Sequence, residues 1–187
     1  MPAPSTMAGH APVAARRWWR PRLLLFLLAM PWFAALADSP TEYRLKAAFL
    51  YNFISFTEWP TALGSKLTLC IYGPDPFGDH LDKYQGRTVA GRSLAIARMT
   101  SADTLGSCQV VFITEPVIGN LARALESVRG KPVLTVADHV GAAHDGVVLN
   151  MVVEHDRILF EANLGAAHNN GVVLSSKLLR LAKEVIP

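Results

Sequence analysis

Apolar and polar positions follow two rhythms along this chain, one near 3.6 residues and one near two. The first rhythm governs residues 44–59. On a wheel of about 100° per residue, Leu45, Phe49, Leu50, Phe53, Ile54 and Phe56 span an arc of roughly 180°. Arg44, Tyr51, Asn52, Ser55 and Trp59 occupy the other side. Ser39, Pro40 and Glu42 supply an N-cap, a first helical residue and a capping box. Pro60 disfavours helix just before it, so the pattern predicts a helix from Ser39 to about Thr57. Asn52, Glu58 and the charged start exclude a membrane span. The wide apolar arc predicts burial against a sheet and a neighbouring helix.

The second rhythm marks strands. Residues 67–73 (LTLCIYG) alternate and then run apolar, and 93–99 (SLAIARM) alternate throughout. The short apolar runs 109–114 (QVVFIT) and 131–137 (KPVLTVA) read as strands buried on both faces. Between them, 77–84 and 117–128 read as helices, and Ser101 caps a helical turn over 102–105. Residues 147–154 and 157–163 flank His155-Asp156 as an antiparallel hairpin. A short helix over 164–169 and a terminal helix over 176–185, capped by Ser175, complete the order. The terminal helix carries Leu178, Leu179, Leu181, Ala182 and Val185 as an apolar stripe and is the expected neighbour of the first helix. The predicted class is α/β: a three-layer sandwich with a mixed sheet of about six strands flanked by helices.

The amino-terminal stretch obeys neither rhythm. Arg16, Arg17, Arg20 and Arg22 precede the apolar run LLLFLLAM, and Ala35-Leu36-Ala37 gives a small-x-small pattern. Residues 1–37 are expected to be a secretory signal peptide cleaved after Ala37, leaving 38–187 as a single exported domain. This changes the charge argument. The chain has 18 basic and 15 acidic residues, but segment 1–37 holds four of the bases and none of the acids. The remainder has 14 bases against 15 acids, which removes electrostatic support for nucleic-acid binding. It also leaves Trp59 as the sole tryptophan of the domain. In an oxidising compartment, Cys70 and Cys108 are a disulfide candidate, with two buried free thiols as the alternative.

Chemical motifs are sparse. Gly73 to Gly78 (GPDPFG) lacks the spacing of a dinucleotide fingerprint, and its two prolines remove amides that would cradle phosphate. Ser175-Ser176-Lys177 is explained by helix capping, and no Gly-x-Ser-x-Gly elbow occurs. Asp138, His139, His144 and Asp145 could hold zinc but read as a solvated polar loop. Glu161 and Asn163, ending a strand, read as hydrogen-bond anchors for the next turn. No catalytic residue, cofactor or metal is expected, and the chemistry favours a protein that works by binding.

Several segments together resemble the YfiR family of periplasmic proteins: YRLKAAFLYNF at 43–53 with FTEWP at 56–60, Leu69-Cys70, DPFG at 75–78, GRTV at 86–89 and Gly91-Arg92. CQVVFI at 108–113, PVLTV at 132–136 and LSSKLLRLA at 174–182 continue the likeness across 42–185. The resemblance implies an α/β sandwich that forms a homodimer and represses an inner-membrane diguanylate cyclase by binding its periplasmic sensor domain. Cyclic di-GMP and biofilm formation would fall. An outer-membrane, peptidoglycan-associated lipoprotein would draw the repressor away. A second disulfide known in the family has no counterpart here, since 138–153 contain no cysteine. Expected partner-binding residues are Tyr51, Ser55 and Trp59 on the first helix's outer edge, and Glu161, Leu164, Val172, Val173 and Leu174 near the hairpin. The alternative is a small-ligand sensor partnering another membrane signalling protein, with Phe56, Glu58, Trp59 and Lys177 lining its pocket. An unrecognised periplasmic enzyme is the third possibility.

Overall fold

The computed structural model describes residues 40–187, so the expected signal peptide and the Ser39 cap lie outside the described residues. Helix α1 (Pro40–Ser55) opens the domain, followed by strand β1 (Thr57–Glu58) and strand β2 (Lys66–Tyr72). Then come α2 (Asp79–Asp82), β3 (Thr88–Val89), β4 (Arg92–Met99), a 3-10 helix over Ala102–Ser107 and β5 (Val110–Ile113). A second 3-10 helix, Glu115–Asn120, leads into α3 (Leu121–Val128) and β6 (Leu134–Ala137). The last third holds β7 (Leu149–Glu154), β8 (Arg157–Asn163), α4 (Leu164–Asn169), β9 (Val173–Leu174), α5 (Ser176–Leu179) and β10 (Glu184–Ile186).

Eight strands form one mixed sheet in the order β10-β8-β7-β6-β5-β2-β4-β3. Strands β4, β2, β5, β6 and β7 run parallel, while β7–β8 and β3–β4 are antiparallel. Strands β2, β5 and β6 are buried on both faces over most of their length, which explains their nearly continuous apolar runs. Leu67, Leu69 and Ile71 of β2 enter one core, while Cys70 and Tyr72 enter the other. The first core lies under α1, α2, α4 and α5, and the second under α3 and the first 3-10 helix. The molecule is therefore the expected three-layer α/β sandwich.

The sheet has eight strands rather than about six, because two short segments join its edges. One is β3. The other is β10, where a terminal helix to residue 185 was expected. Helix α5 instead stops at Leu179, and Glu184–Ile186 pairs parallel with Glu161–Asn163. The Lys183 amide donates to the Phe160 carbonyl at 2.8 Å as the chain enters that edge. The unpaired edge of β8 captures the β-branched pair Val185-Ile186, and Leu181 remains exposed. Helix α1 likewise ends two residues early, because Thr57 and Glu58 pair with Leu174 and Val173 in a separate two-stranded ribbon. Ser175 does cap α5, accepting from the Leu178 amide, and Asn163 caps α4 through the Ala166 amide.

The Cys70–Cys108 disulfide is present, tying β2 to the entrance of β5 across 38 positions. Among the described residues no helix is long and apolar enough to cross a membrane.

Candidate functional site

Two surfaces carry the chemistry of this domain. The first is the ribbon β1–β9 with the end of α1. Alternation along β1 buries Thr57 and turns Phe56 and Glu58 outward; along β9 it buries Leu174 and turns Val173 outward. The Ser175 amide donates to the Phe56 carbonyl at 3.0 Å, which extends the pairing by one rung. Phe56, 37% exposed, and Val173, 57% exposed, thus share the outer face of a short ribbon beside the Glu58 carboxylate.

The expected partner-binding residues divide by depth around this ribbon. Ser55 and Val173 are exposed, and the Ser55 hydroxyl donates to the Tyr51 carbonyl at 2.9 Å. Tyr51 is half-buried, stacked on Tyr84 at 4.8 Å, with its hydroxyl donating to the Thr88 carbonyl. Trp59 is half-buried, and its indole N–H donates to the Ile54 carbonyl at 3.1 Å. Leu164 is half-buried against the core, while Val172, Leu174 and Glu161 are buried. Of the expected pocket residues, Phe56, Glu58 and Lys177 are exposed. The ribbon pairing brings Phe56, Glu58 and Trp59 beside the segment leading to Lys177, whereas the clefts described here are lined by other residues.

Glu161 is an anchor. Its Oε2 accepts from Asn150 Nδ2 at 3.0 Å, and the same amide nitrogen reaches the His139 carbonyl at 2.8 Å. Asn150 Oδ1 accepts from the His139 amide, so strand β7 fixes the chain as it leaves β6.

That exit is part of the second surface, at the carboxyl ends of the parallel strands. Here Lys46 is buried beneath α1, with its Nζ 2.7 Å from Asp138 Oδ2 and its other partner at Glu42. The side chains of Lys46 and Asp138 are only 5% and 3% exposed. The Tyr43 hydroxyl donates to the same Oδ2 at 3.1 Å, while Asp138 Oδ1 is buried with no hydrogen-bond partner among the described residues. Burial pulls the Lys46 ammonium towards its neutral form. The Asp138 charge and the hydrogen bonds to Asp138 and Glu42 outweigh that pull and hold its pKa above the usual lysine value.

The expectation of a solvated loop at 138–145 is corrected at Asp138, which the Lys46 ammonium draws into the interior. His139 Nδ1 instead lies 2.7 Å from Glu115 Oε2, and His144 faces Glu184 at 3.5 Å. Among the described residues no three His, Cys, Asp or Glu side chains converge on a metal position.

Beside the pair opens a cleft of about 300 Å³, walled by Tyr43, residues 74–76 after β2 and residues 114–116 after β5. Gly73 makes its tight entry possible, with φ of 102° and no room for a Cβ against Thr114 Oγ1. Asp75 is held by the Phe77 amide and by Arg98 Nε at 2.8 and 2.9 Å. A second, larger cleft of about 570 Å³ lies between the end of α3 and the start of α4, lined by Arg129, Asp145, Asn163 and Asn169 among others.

A family model described as YfiR/HmsC-like matches residues 43–183. Among solved structures, the chain is similar to the ABC domain in complex with L-Trp from Streptococcus pneumonia, with 9% identity and a TM-score of 0.52. That match covers 77% of this chain and 62% of the other. A conserved domain protein from Vibrio cholerae aligns at 8% identity and a TM-score of 0.51, over 76% of this chain and 60% of its own. The chain thus spans about three fifths of the length of these two proteins, and the likeness is one of fold.

Proposed function

This chain belongs to the YfiR/HmsC-like family, whose members are regulators of cyclic di-GMP signalling in the periplasm, and from that premise we propose that it represses an inner-membrane diguanylate cyclase. The family is a regulatory one, and repression here is a matter of binding rather than turnover. The match across residues 43–183 is the observation that carries this reading. The Cys70–Cys108 disulfide supports an oxidising, periplasmic location.

A periplasmic protein reaches a cytoplasmic catalytic domain only by biasing the membrane protein between two states. It must bind one conformation of the periplasmic sensor domain better than the other. A shift from 1:99 to 99:1 takes about 5.5 kcal/mol of differential affinity. A few desolvated aromatic and aliphatic anchors reach that magnitude. Phe56 and Val173 on the outer ribbon face are the anchors, bordered by Ser55, Tyr51 and Trp59. The buried residues Val172, Leu174 and Glu161 and the half-buried Leu164 act from beneath by fixing that segment. An outer-membrane, peptidoglycan-associated lipoprotein, competing for the same face, would relieve repression, and a second copy of the chain is a further partner for it.

The test deletes the gene and measures cellular cyclic di-GMP and biofilm. Both should rise, and the wild-type chain should restore them. A Phe56→Asp/Val173→Asp variant should fold normally, by circular dichroism and melting temperature, yet fail to restore. Unchanged cyclic di-GMP on deletion of a gene that is normally expressed sinks the cyclase reading. A second reading, a small-ligand sensor for another membrane signalling protein, is favoured by the open cleft between β2 and β5.

A further inference from the structure

We propose that the basic edge of the sheet, where β3 and β4 meet the end of α2, docks on the anionic phospholipid surface of a membrane. The inference goes beyond repression and holds whether or not the partner is a cyclase. It rests on the distribution of charge, the way the bases are held and the shape of the edge.

Charge is sorted along the sheet. Segments 59–74 and 83–102, which build β2, β3 and β4, hold five bases and no acid. At the opposite end, segment 149–163 and strand β10 hold four acids and one base. The two ends lie seven strand spacings apart, about 34 Å. A domain that is nearly neutral as a whole therefore presents one basic end and one acidic end, and a charged surface orients it.

The bases at the edge are held apart from carboxylates. Lys66, Lys83 and Arg87 are exposed and Arg92 is half-buried, and among the described residues none of the four has an ion-pair partner. Lys83 Nζ lies 5.1 Å and Arg87 Cζ 5.5 Å from the centre of the Tyr84 ring, and Arg87 Nε donates to the Lys83 carbonyl at 3.1 Å. Two like charges gathered on one ring repel, and an anion in front of them relieves that repulsion. Arg92 donates to the carbonyls of Pro60, Gly64 and Ala90, which fix its guanidinium without cancelling its charge. Lys66 shares a rung of the sheet with Ser93 and Thr88. The acids nearest in sequence are Glu58, Asp75, Asp79 and Asp82, and Arg98 engages Asp75 and Asp82.

The shape of the edge selects the partner. The two clefts described above are lined by other residues, so these bases stand on open surface. Strand β3 spans two residues, and its Thr88 carbonyl already accepts from the Tyr51 hydroxyl, so an acidic peptide gains little by adding there as a strand. Separately mounted cations suit a plane of phosphates, where each base near the surface raises binding about fivefold and no fixed geometry is required. Tyr51 stacks on Tyr84 and Arg92 holds Pro60, so the edge borders the ribbon that carries Phe56 and Val173. A chain docked by this edge thus holds its ribbon close to the leaflet, within reach of a membrane protein.

The test is sedimentation of the disulfide-bonded exported chain with vesicles. Vesicles of phosphatidylglycerol and phosphatidylcholine in equal parts should bind it at low ionic strength and release it in about 1 M salt. Vesicles of phosphatidylcholine alone should not bind it. Lys83→Gln/Arg87→Gln, with its fold checked by circular dichroism, should weaken binding about 25-fold, and Lys66→Gln, which touches no ring, about fivefold. Arg123→Gln/Arg129→Gln removes the same charge from the α3 face and should leave binding unaltered. Equal binding to both kinds of vesicle, or equal weakening by the two double variants, overturns the edge as the docking site. Absence of binding to either kind overturns lipid docking, and hexaglutamate then perturbing the amides of 83–92 would assign the edge to an acidic peptide instead. Failure of lipid binding leaves the repressor reading standing, and unchanged cyclic di-GMP on deletion leaves lipid binding standing.

Discussion

Lys46 has an unusual position for a lysine. It sits inside the buried arc of α1, between Tyr43, Ala47, Leu50 and Phe53, and survives there because Asp138 and Glu42 meet it. Removing one partner of a buried pair leaves the other charge uncompensated, so Lys46→Met should destabilise the domain by about 3–5 kcal/mol in urea unfolding. Adding Asp138→Leu to that variant should recover much of the loss. The pH dependence follows from the sign of the shift. Because the folded state raises the Lys46 pKa, the pair's contribution is fully present below the ordinary lysine range and is lost as pH rises through the higher folded value. A melting-temperature series should therefore show wild type falling at alkaline pH more steeply than the double variant. The lysine could have been noticed in the sequence, since a charge within an apolar arc implies a partner. Asp138 could not have been identified, because it lies 92 positions away and looks like loop.

At the scale of elements, the interior of the fold was legible and its margins were not. The strands at 67–73, 109–114 and 131–137 stand where their apolar runs place them, because a strand buried on both faces leaves a strong local signal, and 93–99 stands where its alternation places it. The hairpin around His155-Asp156 is also present, and both turn residues have positive φ, of 50° and 60°. The tail is different. Residues 176–185 carry a helical stripe, and the pull towards β10 comes from the open edge of β8, which no local pattern encodes. The same holds for α1, whose buried arc is narrower than its apolar arc: Leu45 and Phe56 sit at the margin and stay exposed. If edge capture holds the tail, Val185→Pro should loosen β10 by removing an amide and reopen the β8 edge. The expected outcome is a lower melting temperature and more self-association by light scattering than wild type. An unchanged melt with no added association would show that the tail's pairing contributes nothing.

Across the whole molecule, the domain rests on one covalent link. The Cys70–Cys108 bridge closes 38 positions and, by loop-closure entropy, is worth about 4 kcal/mol. Urea unfolding with and without reductant should show a loss of that order, in a single step, because no second bridge remains to hold part of the fold. The resemblance between 42–185 and a family of regulators was also visible in the sequence, whereas the cleft between β2 and β5 was not. Its walls come from three distant segments, and only the sheet order brings them together. The placement of α1 has a further consequence, in time. Two of its rings are made early but covered late: Phe49 and Phe53 pack on Phe160, and Thr57 pairs with Leu174, each more than a hundred positions downstream. Tyr43 and Tyr51 meet Phe77 and Tyr84 early, whereas the Phe49–Phe53 side lacks its Phe160 cover until the final third is made. Long-range closure of this kind slows folding. Until that final third is made, the Phe49–Phe53 side of the helix is an apolar surface that a chaperone can hold.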